Sequence, residues 1–110
     1  MIDFSQIITA ADKEAQAAQA ARDLWKSQRA AAVASIKVTT TAGNVFDGDE
    51  VSQGRMARAV LSINAAPAGA TTPWVLADNT VIDATAAELL EAMTLAGIAQ
   101  GALWVQEQPE

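Results

Sequence analysis

The sequence predicts an α+β fold: a long N-terminal alanine-rich helix followed by a small domain of two β-hairpins and two helices. Three observations predict it. From Ala10 to about Ile36 there is neither Gly nor Pro, and the density of Ala, Gln, Lys, Arg and Glu is that of a strong helix former. Between Val38 and Ile82, two stretches rich in β-branched and apolar residues each close on a turn signal, Ala42-Gly43-Asn44 in the first and Asp78-Asn79 in the second. Each stretch then runs into a helix entry, Asp47 with Glu50 three residues on, and Thr85 with Glu88 three residues on.

Taken in order, Met1 to Ile8 sets Ile2, Phe4, Ile7 and Ile8 among polar residues, the partial alternation of a short strand or of an arm that docks on a neighbour. Thr9 offers an N-cap oxygen, and Asp12 puts negative charge in the first turn, where the helix dipole favours it. The helix that follows spans roughly 25 residues, about 40 Å at 1.5 Å per residue, more than so small a domain can cover. Its 3–4 seam reads Ala11, Ala15, Ala18, Arg22, Trp25, Arg29, Ala32 and Ile36, so the first half is almost all alanine. Ala11, Ala15, Ala18 and Trp25 are therefore the expected oligomer or partner interface; a solvated stalk, or a flank laid along its own domain, are the other readings. Leu24, Trp25, Val33 and Ile36 are expected to pin the second half to the core. The chain thus divides into an arm and helix (1–36), a compact domain (37–105) and a tail (106–110) expected to fray.

In the compact domain, Ile36, Val38 and Thr40 fall on one face of the first hairpin. Asp47 is expected to cap a helix of about 48–64 that buries Met56, Ala59, Val60 and Ile63 and leaves Arg55 and Arg58 on its flank. The Pro-, Gly- and Thr-rich connection from Asn64 to Pro73 is expected to be the most mobile segment. Trp74, Leu76 and Val81 are the expected inward anchors of the second hairpin. Leu89, Leu90, Met93, Leu95, Ile98 and the Leu103-Trp104-Val105 run make the last helix broadly apolar, and Gly97 and Gly101, four apart, permit a close helix approach. The expected core is Val38, Phe46, Met56, Val60, Ile63, Trp74, Leu76, Val81, Leu89, Met93 and Trp104, with no other large apolar patch outside it.

Composition excludes several functions. At 110 residues the chain is one small domain with a modest core. Thirteen acidic against seven basic residues give a net charge of −6, the wrong sign for neutralising phosphates, so no nucleic-acid binding is expected. There is no Cys, His or Tyr, which removes disulfides, thiolate nucleophiles, imidazole bases and imidazole metal ligands. The Asp47-Gly48-Asp49-Glu50 run lacks the ligand spacing of a calcium loop, and no Gly-rich loop with a following lysine is present to hold phosphate. The remaining carboxylates have turn or cap roles. No cofactor, no metal and no enzymatic activity are expected. Neither a signal peptide nor a membrane span is expected, and synthesis and folding are placed in the cytoplasm.

One resemblance adds to this. The order Asn44-Val45-Phe46-Asp47-Gly48-Asp49-Glu50, Arg55-Met56, Trp74, Ala77-Asp78-Asn79 and Glu88-Leu89, with a closing Leu103-Trp104-Val105, resembles a small family of uncharacterised proteins, catalogued as a domain of unknown function, that accompany tail and tail-fibre genes of tailed bacteriophages and prophages. It covers about Val38 to Val105. The resemblance carries no catalytic residue and implies a structural or interaction role: a virion component near the tail fibre or baseplate, or alternatively a tail-fibre assembly chaperone not retained in the virion. It also implies other tail proteins as partners and a homo-oligomer, with a trimer preferred because tail fibres are commonly trimeric.

Overall fold

A computed structural model describes residues 10–105. The Met1–Ile8 arm, the Thr9 cap and the 106–110 tail lie outside the described residues. The fold is α+β, in the order α1 (Ala10–Ala34), β1 (Lys37–Thr39), β2 (Val45–Asp47), α2 (Glu50–Asn64), β3 (Thr72–Val75), β4 (Val81–Ala84) and α3 (Ala86–Trp104). Each hairpin is its own two-stranded antiparallel sheet. α2 and α3 pack on each other, and the hairpins and the end of α1 close over them.

The two hairpins have one design. In the first, Gly43 N–H donates to Thr40 O and Thr40 N–H to Asn44 O; in the second, Asn79 N–H donates to Leu76 O and Leu76 N–H to Thr80 O. Both loops therefore hold three residues and end on one with positive φ, Gly43 at +88° and Asn79 at +68°, the conformation that Gly and Asn reach most easily. Those two residues lie 36 apart in the chain. So do the helix caps, Asp49 for α2 and Thr85 for α3, and the facing pairs Val38↔Phe46 and Trp74↔Ile82. The domain is two ββα units set at one offset.

Gly48 shows why the first unit closes tightly. A Cβ there would lie 2.7 Å from Ile36 Cγ2 and 2.9 Å from Ala96 Cβ, so only hydrogen leaves room for the Gly48 N–H to reach Ile36 O at 2.8 Å. The core comprises Val33, Ile36, Val38, Phe46, Met56, Leu76, Ala84, Leu89, Ala92 and Ala96, with Val60, Ile63, Trp74 and Met93 partly buried against it. Thr40 is the buried polar residue of the hairpin face that also carries Ile36 and Val38.

Several expectations change. Val81 is 61% exposed. The loop holds three residues rather than the two of the Asp78-Asn79 turn, which sets Val81 opposite Val75 on the outer face and gives the inner face to Trp74 and Ile82. Trp104 is half exposed because it ends α3, where its ring covers Arg29 and not the core. Leu24 is exposed and Trp25 half-buried, so α1 is anchored by the buried Val33, and by Ile36 just beyond its end. The cap of α2 is Asp49, which accepts from the Ser52 amide and hydroxyl, and Asp47 is the last residue of β2. The stretch from Asn64 to Pro73 is partly ordered by Ala66 N–H to Ile63 O and Ala70 N–H to Pro67 O, and β3 already begins at Thr72.

Candidate interaction surfaces

Alanine propensity explains why α1 forms without burial along most of its length. Ala11 and Ala15 are exposed and Ala18 is half-buried, so among the described residues the start of the seam is left uncovered. Where α1 meets the domain, the Arg29 guanidinium lies 4.5 Å from the Trp25 ring centroid and 3.9 Å from that of Trp104. This stack joins two helices through the quadrupoles of both rings. Trp25, expected at an interface, is half-buried here against its own chain. Beside the stack, a cavity of about 390 Å³ runs between Lys26, Arg29 and Val33 on α1, and Asp49, Glu50 and Val51 at the start of α2.

The second surface is the outer face of α3. From Ala92 to Val105 the helix carries no charged residue, whereas a surface helix of a monomer ordinarily has a polar outer face. Leu90, Ile98 and Val105 are exposed, Ile98 by 66%, and a Cβ at Gly97 or Gly101 would meet nothing within 4 Å. The close approach expected at these glycines is not made among the described residues. A large apolar surface therefore does exist outside the core, contrary to the sequence expectation. Counting apolar residues on the helix could not reveal which of them face α2.

Five carboxylates of the compact domain, Asp49, Glu50, Asp78, Glu88 and Glu91, are committed to holding the fold. Glu88 Oε1 accepts from Thr40 Oγ1 at 2.9 Å and Asn44 Nδ2 at 2.7 Å. Glu91 accepts from the Thr41 backbone N–H at 2.9 Å and the Thr41 hydroxyl at 2.6 Å. Thr85 does cap α3, accepting from the Glu88 amide at 3.1 Å, but the Glu88 side chain crosses to the first hairpin instead of returning to the cap. The Thr41 hydroxyl and then its N–H hold Glu91 below the usual glutamate range; the Ser52 hydroxyl does the same for Asp49, and the Thr80 N–H for Asp78. At the other end, Gln53 Nε2 donates to Gln100 Oε1 and Gln100 Nε2 to Glu50 Oε1, both at 2.7 Å, tying α2 to α3. Among the described residues no three acidic groups are placed to hold a metal ion, and no helix is long and apolar enough to cross a membrane. The sequence reading missed the Glu88 and Glu91 bridges and the Arg29 stack. Only the Trp25/Arg29 spacing of four was visible in advance.

A model of the family described as Domain of unknown function (DUF4376) matches residues 11–108, nearly the whole chain. The chain belongs to the DUF4376 family. The match takes in α1 as well as both ββα units, so the long helix is part of the family domain and not an appendage to it. No curated protein and no solved structure matches the chain.

Proposed function

We propose that this DUF4376 protein is a non-enzymatic structural or adaptor component of a bacteriophage tail, sited near the tail fibre or baseplate and working by association with copies of itself and with other tail proteins. The observation that supports an association role is the helix surface left uncovered among the described residues: Ala11 and Ala15 at the start of α1, and the uncharged outer face of α3. Burying such a face is favourable at about 25 cal/mol per Å² of apolar area, and on a chain of charge −6 it is the face along which two copies meet with least repulsion. The phage setting rests on the resemblance of the central segments to tail-associated proteins. A trimer is the preferred assembly on the same ground.

Mass spectrometry of purified virions from a host carrying the gene tests this reading. Peptides of the protein at a fixed stoichiometry to known tail proteins are expected. Their absence from particles, with the protein abundant in the lysate, would overturn it in favour of an assembly chaperone that leaves before the tail is complete.

A further inference from the structure

The two ββα units share one offset, yet only one of the two grooves between a helix and the other unit's hairpin is sealed. On the first hairpin, α3 closes the groove with Glu88 and Glu91, whose carboxylates take the hydroxyls of Thr40 and Thr41, the Thr41 amide and the Asn44 side chain. The positions 36 residues earlier, on α2, are Ser52 and Arg55. They line the corresponding groove against the second hairpin together with Asp47, Trp74, Leu76 and Asn79, and about 300 Å³ there is empty. The Ser52 hydroxyl is turned away to Asp49. Arg55 is exposed and makes no ion pair or hydrogen bond through its guanidinium among the described residues.

We propose that this open groove receives an acidic side chain from a peptide segment of a partner protein, with the partner's carboxylate on the Arg55 guanidinium and its apolar neighbour on Trp74 and Leu76. The chemistry is that of the sealed groove with the donor reversed: there the chain supplies the carboxylates, here it supplies the cation. A guanidinium presents two parallel N–H groups to a carboxylate, which a solvated lysine does not. The volume, at the small end of the ligand-cleft range, accommodates one or two side chains. Asp47 in the same groove repels a phosphate dianion more strongly than a singly charged carboxylate and offers an acceptor for a peptide N–H, and both effects favour a peptide carboxylate over a free inorganic anion. Lys37, Arg55 and Arg58 are the basic residues between positions 37 and 105, and of these Arg55 is the one lining a groove with an aromatic wall. This inference does not depend on the phage setting.

The test is an NMR titration of the full ¹⁵N-labelled chain with three probes: acetyl-Leu-Glu-Leu-amide, the matching Leu-Gln-Leu peptide, and inorganic phosphate. The glutamate peptide is expected to shift the Trp74 indole N–H and the Asn79 amide saturably, at least tenfold more tightly than the glutamine peptide. Arg55→Ala and Arg55→Gln, both at an exposed position, should abolish the shifts and leave the rest of the spectrum in place. Equal binding of the glutamine peptide, persistence of the shifts in either variant, or no saturable shift would overturn the proposal. Phosphate binding tighter than the glutamate peptide would overturn the peptide assignment.

Discussion

Phe46, Met56 and Leu89 are the largest side chains with no exposure at all, and the stability of the domain concentrates in them. Phe46→Ala should cost about 3–5 kcal/mol, most of what a domain of this size has, whereas Val81→Ala on the outer face should stay within about 0.5 kcal/mol; urea melts of the two variants check both. Gly48→Ala should cost about 1–3 kcal/mol, since its methyl would press on Ile36 and Ala96. Acid sensitivity has a residue-level source too. Glu91 is held below its usual range by Thr41, so its contribution is present above the unfolded glutamate value and is lost as pH falls through the folded one. Glu91→Gln should flatten the fall in melting temperature between neutral pH and about pH 3, a range that brackets the unperturbed glutamate value. Phe46, Met56 and Leu89 were legible in the sequence because apolar residues at hairpin and helix spacing have few places to go. Val81 was not, because a loop longer by one residue inverts the face of every residue that follows it.

At the scale of elements, the molecule is a duplicated ββα unit made unequal by what fills its two grooves. Helix existence, hairpin existence and the Thr85 cap followed from local chemistry. The duplication left only a faint trace, Val45-Phe46-Asp47 against Val81-Ile82-Asp83, because two units that share a fold need share only turn geometry, cap position and inward volume. The cap of α2 was misplaced by two residues, since Asp47 and Asp49 both suit a helix entry and only the strand register decides between them. The cross-unit bridges were invisible for a different reason: Thr40 and Glu88 are 48 positions apart, and nothing local marks the pair. Glu88→Ala should cost about 1–3 kcal/mol, because it leaves the buried Thr40 hydroxyl without its carboxylate acceptor. Amide exchange should quicken first at Thr40 and Gly43, the hydrogen-bonded amides of the hairpin turn that Glu88 holds. A uniform loss of protection would instead mean that the bridge stabilises the domain as a whole.

For the whole molecule, α1 and α3 present more apolar and small-residue surface than the folded chain uses. The exposed seam of Ala11 and Ala15 was legible from spacing, while the outer face of α3 emerged only when the fold showed which side meets α2. Both lead to one claim, that this chain works by covering these faces with another copy. Ile98→Glu places a charge in the middle of the α3 face without touching the core, and it should weaken assembly while leaving the far-ultraviolet circular dichroism unchanged. The most direct measurement is multi-angle light scattering of the full chain at tens of micromolar. The account predicts a mass that is a whole multiple of 11.4 kDa, three-fold on the preferred reading and falling toward a single copy in Ile98→Glu; a mass of 11.4 kDa for the unaltered chain would contradict it.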